Sequence, residues 1–358
     1  MKSVLLICGI VMLCTVASSS VALGAEVSVP GDYATIGEAL SAVPDGSVIS
    51  VAPGQYVENL VIGKPVTIRG SEDGQTALSP ARWQEPTISL ADGVTGVSIE
   101  RLRIVDGYAE RGVSLTGTAS AAVSGCVFVG NFIHVRVSDS ASLVISDCEF
   151  GEYYESAVEV ENIASVATSR SSFASVAGTV TVTITEDAVA EFDACSFQGL
   201  GSLSPDLRDK AVWANGWNGT GKTELTFKNS SITGYFIGLL AQQAGFFTVE
   251  NCHMEHCFSP VEVWNQPTGR TRVLIIGNTI IGSTEPILLG GRVEQIEISN
   301  NVITEAPDRG IIVITALSGR GTDQIFIGQI TGSGNVIQAA RPLYPPEKSG
   351  FWPKDFVR

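Results

Sequence analysis

The sequence predicts an all-β chain wound as a single-stranded right-handed parallel β-helix, a solenoid with a short N-terminal capping helix. Three observations carry this. A five-residue element, Ser124-Gly125-Cys126-Val127-Phe128 and then Ser146-Asp147-Cys148-Glu149-Phe150, returns about every 23 residues. With Leu102 as first member and later copies at Ser172, Cys195, Ser230, Cys252, Asn278 and Asn301, the steps are 24, 22, 24, 23, 35, 22, 26 and 23 residues. Self-similarity at a short fixed period marks a stack of repeats. Each period also holds three short β runs separated by turns, the third exemplified by Ala157–Val160 and Gly310–Val313. At about 3.3 Å per strand residue, three strands and three turns fill one coil. Finally, charged residues make up only 16% of the chain while Gly numbers 38, and Val, Ile and Thr abound. Stacked strands and tight turns call for that mixture. A leucine-rich repeat lacks its Leu and Asn lattice here, and a propeller blade needs about twice the period.

Residues 1–25 carry one charge, Lys2, then an apolar run from Val4 to Val16 and small residues at Ala22, Gly24 and Ala25. They read as a secretory signal peptide, too short to span a bilayer comfortably. The expected product is secreted, periplasmic or held at the cell surface. Thr35-Ile36-Gly37-Glu38 is a capping box that opens a helix over about 35–43, ended by Pro44-Asp45-Gly46. A helix there covers the open apolar end of the stack, as terminal units must. The runs Val48–Val51, Leu60–Ile62 and Val66–Ile68 begin the coils, and residues 26–342 form one elongated domain. The repeat position predicts one inward column: Leu102, Cys126, Cys148, Ser172, Cys195, Ser230, Cys252, Asn278 and Asn301. Buried thiols there act as small hydrophobes, although Cys126 and Cys148 on adjacent rungs also stand within disulfide reach. Residues 343–358 form a Pro- and aromatic-rich tail; the run Arg341-Pro342-Leu343-Tyr344-Pro345-Pro346 followed by Phe351-Trp352-Pro353 is expected to cover an outward patch of Leu288, Ile312 and Ile314.

Two stretches, Asp32 to Leu40 and Pro53-Gly54-Gln55-Tyr56-Val57-Glu58-Asn59, with Pro65-Val66-Thr67-Ile68-Arg69-Gly70 after them, resemble the opening of pectin lyase-like β-helix proteins, pectin methylesterases among them. The repeats from Gly93 to Ile337 are similar to the parallel β-helix repeats of that superfamily. The resemblance implies the fold and leaves function open, because the fold hosts lyases, hydrolases, esterases and adhesins. Gly54, Tyr56 and Glu58 fit the early methylesterase motif, but that family's later Gln-Asp-Thr, Asp-Phe-Ile-Phe-Gly and Gly-Arg-Pro-Trp elements are absent. The Gly-His-Gly set of polygalacturonases and the calcium-binding Asp cluster of pectate lyases are absent too. Esterase activity is therefore not expected, and Gly54, Tyr56 and Glu58 read as turn and packing residues.

In this superfamily ligands lie along the sheet of third runs. Taking Val113, Val135, Val158, Val180, Val212, Ile237, Val261, Ile287 and Ile311 as inward, alternation gives an outward column Ser114, Arg136, Glu159, Thr181, Trp213, Gly238, Glu262, Leu288, Ile312. Two residues on lie Ser138, Glu161, Thr183, Asn215, Leu240, Trp264, Gly290 and Ile314. Carboxylates beside indoles suit sugars, so Trp213, Asn215, Trp217, Glu262 and Trp264 are candidate substrate contacts, walled by insertions at Gly199–Lys210 and Asn215–Glu224. Glu159 and Glu161, two apart on one face, are candidate acid and base, with Arg136 expected to keep Glu159 ionised and Glu161 to serve as the acid. His134 beside Arg136 is a weaker base candidate, and Cys252, His253, His256 and Cys257 form a cluster that alternation splits across faces.

A formal net charge of −15 disfavours nucleic acid and anionic membranes as partners. No cofactor or metal is expected. Calcium stays open as a counter-ion, though no ligand cluster supports it. The expected partner is an extracellular glycan, bound by a monomer without membrane insertion, and either cleaved by lyase or hydrolase chemistry or merely held. A non-catalytic adhesion module and a periplasmic helper protein of the NosD type are the alternatives.

Overall fold

A computed structural model describes residues 24–108, 110–201, 209–217, 219–264, 272–314, 327–344 and 352–357. Residues 1–23, most of the segment expected to be a signal peptide, and part of the insertion before Lys210 lie outside the described residues. The chain winds as a parallel β-solenoid of about 11 turns, with one helix among the described residues, Ile36–Ala42. First runs form one sheet that starts with Glu26–Val29 and Ser47–Val51 and ends with Arg292–Ser299 and Ile327–Thr331. Second and third runs form the other two walls, and every strand pairs in parallel with its equivalent one coil away. The core is the column between the walls, so each coil buries its apolar side chains against the coils on either side.

The helix closes the N-terminal end as the sequence predicts. Thr35 Oγ1 accepts from Glu38 N at 3.1 Å, and Glu38 Oε2 accepts from Ala34 N at 3.1 Å. Glu58, on the following coil, accepts from Ile36 N at 3.0 Å and Gly37 N at 2.8 Å, satisfying amides that the helix leaves unpaired. Tyr56 donates its hydroxyl to Ala52 O at 3.1 Å. The Gly54, Tyr56 and Glu58 set thus joins helix to first coil. At the opposite end Trp352 and Phe356 are buried in the main core, and Asn335 Nδ2 donates to Phe356 O at 2.9 Å. That part of the tail plugs the solenoid. Leu288, Ile312 and Ile314 are buried separately, packed by Trp264 and Tyr344. Pro345, Pro346 and Phe351 lie outside the described residues.

The repeat position is an inward ladder. Each of its residues follows one in the left-handed region, such as Arg101 (φ 54), Gly125 (φ 60) and Asn251 (φ 54), which turns the chain sharply enough to aim the next side chain inside. Cys126, Cys148, Cys195 and Cys252 donate their thiols to Ile99 O, Val123 O, Thr168 O and Phe227 O on the preceding coil. Asn278 and Asn301 fill the same slot with amides, donating to Val249 O at 3.0 Å and Ile275 O at 2.8 Å. Asn335, which the sequence reading missed, continues the column. One member needs correcting: Ser171, not Ser172, occupies it, its hydroxyl accepting from Cys148 N at 3.1 Å while Ser172 is exposed. The Ser171-Ser172 pair offers two registers, and Phe173 decides between them by stacking on Phe150. Cys126 and Cys148 are free thiols. Burial pushes the Cys195 and Cys252 thiols up to about 11 and the Cys257 thiol up to about 12.

Two residues beyond the ladder, Phe128, Phe150, Phe173 and Phe197 stack nearly parallel, with ring centroids 4.9, 4.5 and 4.4 Å apart. His134 lies against this stack, tilted 46° to Phe128 and 44° to Phe150, and is fully buried. Its Nδ1 accepts from Asn131 Nδ2 at 2.9 Å, which leaves Nε2 to donate to Gly151 O at 3.3 Å. The ring is therefore neutral, and burial holds its pKa down at about 4. The unfolded chain takes up this proton below about pH 6.5, whereas the folded chain resists until about 4. Stability from His134 is complete above pH 6.5 and is lost as pH falls toward 4, by about 3 kcal/mol. Urea unfolding of the parent and of His134→Gln at pH 7 and pH 4.5 should show a smaller acid loss in the variant. Equal losses in both would mean that the ring is not held neutral.

Candidate active site

The third runs form an open sheet whose register follows from the pairing. Inward positions run Val113, Val135, Val158, Val182, Val212, Leu239, Val261, Ile287 and Ile311. Val180 and Ile237, expected there, instead pair with Lys210 at the strand entrances, two residues earlier. The first outward column is consequently Ser114, Arg136, Glu159, Thr183, Trp213, Leu240, Glu262, Leu288 and Ile312, with Thr183 and Leu240 in place of Thr181 and Gly238. Thr181 is buried, hydrogen-bonded to the hydroxyls of Tyr153 and Tyr235 at 2.8 and 3.0 Å. The second column takes Thr185 and Gln242 in place of Thr183 and Leu240.

Where the strands Arg111–Leu115, Asn131–Val137 and Tyr153–Val160 lie side by side, the face opens into a cleft of about 300 Å³. Its walls are Glu110, Arg111, Phe132, Ile133, Arg136, Glu155, Glu159 and Glu161. All three catalytic candidates meet here. Their pairing reverses the expectation: Arg136 Nε donates to Glu161 Oε2 at 3.0 Å and Nη2 reaches the same oxygen. Glu159 stands directly across the ladder from Arg136, but its Oε1 turns back to accept from Ser156 Oγ at 3.0 Å. Arg136 is thereby left to the diagonal neighbour.

Burial raises the Glu159 pKa above the ordinary carboxylate value; the Ser156 hydroxyl and Arg136 oppose this, and Glu155 and Glu161 add to it. The cleft thus holds one carboxyl disposed to keep its proton and one ion-paired carboxylate. The two stand on the same strand face, with backbone origins about 6.6 Å apart. Arg111 is also paired, with Glu110 at 2.7 Å. Glu110, Phe132 and Glu155 were not read from the sequence as site residues. They occupy one aligned position at the start of the third run of successive coils, Glu110 just before Arg111–Leu115 and Phe132 and Glu155 inside their strands, and aligning the coils on the strands would have found them.

No protein-family model matches the chain, and no curated protein matches it in sequence. Solved structures do match. A mannuronic acid specific polysaccharide family 6 lyase from human gut microbiota superposes with a TM-score of 0.62 at 12% identity, over 87% of this chain and 80% of its own. This chain has a parallel β-helix fold. The family 6 polysaccharide lyase Pedsa3628 from Pseudopedobacter saltans matches at 12% identity and a TM-score of 0.46, over 93% of this chain and 96% of its own. Pectate lyase Pel9A matches at 10% identity and a TM-score of 0.40, over 91% and 81%. At 12% identity the first of these likenesses carries the fold alone.

The β-helix sets the binding candidates apart from the cleft. Trp213 stands two coils beyond Glu159, half-buried, with Lys210 Nζ 5.8 Å from its ring centroid. Trp264 Nε1 donates to Glu262 Oε2 at 3.0 Å, and its ring lies over Gly290 and the Leu288 patch, so this pair serves packing. Asn215 Oδ1 accepts from Trp217 N at 3.2 Å, and Trp217 itself is exposed. His134 faces the core and does not reach the cleft. His253 and His256 flank the Glu255 carboxylate at 3.6 and 3.3 Å on the surface, while Cys252 and Cys257 are buried. Among the described residues no group of three or more His, Cys, Asp or Glu is placed to hold a metal, and no helix is long and apolar enough to cross a membrane.

Proposed function

We propose that this β-helix is an exported polysaccharide-cleaving enzyme whose cleft hydrolyses a glycosidic bond, with Glu159 as proton donor and Glu161 as the base that activates water. The observation that carries it is the divergence of two neighbouring carboxyls: burial favours the protonated form of Glu159, whereas Arg136 is ion-paired with Glu161. Inverting hydrolysis needs an acid that protonates the leaving oxygen and a base that activates a water attacking the anomeric carbon from the opposite face of the sugar ring, with the carboxyls about 6.5 to 9.5 Å apart to admit that water. Arg136 orients the Glu161 base and restrains it from swinging onto Glu159. Export rests on the charge and apolar pattern of residues 1–25, and the mature chain is expected to begin after Gly24 or Ala25.

The test is a product assay with purified mature chain on neutral and uronate-containing polysaccharides. New reducing ends without unsaturated termini are expected. Unsaturated termini would replace hydrolysis by elimination, and the absence of any product across the set would reduce the molecule to a binding module.

A further inference from the structure

Beside the cleft, where the chain enters the third run, four consecutive coils each present one aromatic ring to solvent, two from the segment before the strand and two from its first residues. These are Trp83, Tyr108, Phe132 and Tyr154, exposed by 63, 58, 37 and 47%. The pairing of Ile88–Leu90, Arg111–Leu115, Asn131–Val137 and Tyr153–Val160 places them in order along the solenoid axis, stepping about 4.8 Å per coil. Tyr108 and Tyr154 belong to coils on either side of Phe132, yet their rings meet at 5.3 Å, inclined by 50°.

The backbone beneath these rings is fixed. Asn59 Nδ2 donates to the carbonyls of Arg82, Glu85 and Pro86 at 3.2, 3.2 and 3.0 Å, and its Oδ1 accepts from Arg82 N at 2.7 Å, clamping the loop that carries Trp83. The fully buried Asn131 accepts from Gly107 N at 3.2 Å, and Phe132 N donates to Gly107 O at 2.8 Å, which holds the Tyr108 loop. Large rings kept in water on pinned loops forgo the burial that would stabilise the fold, while they gain a preformed stacking surface. They do not make a continuous apolar patch, because charged pairs separate them: Arg82 with Glu85 at 2.7 Å, and Arg111 with Glu110 at 2.7 Å. Both cations are thereby matched, and Glu152 and Glu155 flank Tyr154. The strip offers apolar rings and hydrogen-bonding groups with an acidic balance, which complements uncharged sugars and repels uronates.

We propose that this strip is a binding subsite for an uncharged polysaccharide, whose pyranose rings stack on Trp83 and on the Tyr108–Tyr154 pair while the chain passes Phe132 into the cleft. It rests on the reading of the cleft given above, since Phe132 belongs to both. The strip sets substrate class, and the cleft does the chemistry.

Affinity electrophoresis of the mature chain through gels containing soluble glucan, galactomannan, xylan or polymannuronate tests it, with turnover measured on the same polymers. Retardation by at least one neutral polymer, and none by polymannuronate, is expected. Trp83→Ala and Tyr154→Ala should each weaken that retardation by about tenfold, the loss of one aromatic stacking surface, whereas Ile163→Ala, exposed on another turn, should not change it. Urea melts of the strip variants should match the parent. Parent-like retardation in both strip variants, retardation by polymannuronate alone, or no retardation by any polymer would overturn the proposal. The two readings separate cleanly. If the strip variants bind as the parent does while Glu159→Gln stops turnover, the strip falls and the cleft stands; if they lose binding while Glu159→Gln leaves turnover unchanged, the cleft chemistry falls and the strip stands.

Discussion

Glu159→Gln is expected to lower turnover by about 10² to 10⁴-fold, the usual contribution of a positioned proton donor, with little change in binding. The amide oxygen can still accept from Ser156, so the side chain keeps its place, and it has no proton to give to a leaving oxygen. The sign of the pH dependence follows from the direction of the shift. A general acid works while protonated, so activity is present below the Glu159 pKa and declines as pH rises through it; its raised pKa moves that decline upward. The alkaline limb of the rate profile should vanish in the variant. Stability is a separate readout. A carboxyl whose folded pKa is raised costs stability as pH rises through its unfolded and then its folded value, so Gln should leave neutral-pH stability equal or higher. A melt that collapses in Glu159→Gln would show a structural role, and unchanged turnover with an intact fold would remove Glu159 from the chemistry.

Phe150→Ala is expected to cost about 3 to 5 kcal/mol, as large-to-small changes of a buried aromatic do. The ring is 1% exposed and lies between Phe128 at 4.9 Å and Phe173 at 4.5 Å. Its removal opens a gap that neither neighbour can fill without leaving its own coil, because each coil is held by its strand pairing. Urea midpoints should fall, and Phe150→Leu should restore part of the loss. Val144→Ala, on the outer surface, is the control. A loss below about 1 kcal/mol for Phe150→Ala would contradict the interior stack, since outer substitutions fall in that range.

The course of the fold was legible because the repeat carries its own register. Cys126, Cys148 and Cys195 share a position two residues before a Phe, and this spacing alone orders three coils. Errors came where side chains repeat or turns change length. Ser171 and Ser172 are chemically interchangeable; the two-residue spacing to Phe173 points to Ser171, and the aromatic stack between coils fixes it. Val180 and Ile237 slipped by two residues, a shift that preserves alternation and so leaves no trace in a period-two pattern. The site was legible in its members and not in its bonds. Sequence placed Arg136, Glu159 and Glu161 on one face, yet the choice of Glu161 as partner depends on Ser156 turning Glu159 aside. Phe132 and Glu155 sit at the start of strands whose register shifts between Asn131 and Ile133, and Glu110 just precedes its strand, so simple alternation does not place them. The indoles at Trp213 and Trp264 were read as open because their strands point outward, but Leu240, Leu288 and the residues around them supply an outer packing layer that no strand pattern reports.

The strict equivalence of successive rungs makes a whole coil a removable part. Ser120 pairs with Ser142 in register, and Ala119 and Ala141, which precede them, are both fully buried. Excising residues 120–141 would join Ala119 to Ser142 with every remaining strand still facing its former kind of neighbour, and would shorten the molecule by about one 4.8 Å spacing. Phe150 would then rest on Ile104 where Phe128 now lies. Arg136 and Phe132 leave with the excised coil while Glu159 and Glu161 remain, so the edit would yield a shorter, folded rod that keeps both carboxyls and loses the cation that orients Glu161: in this chain the scaffold and the positioning of its carboxyls are written in units that can be cut apart.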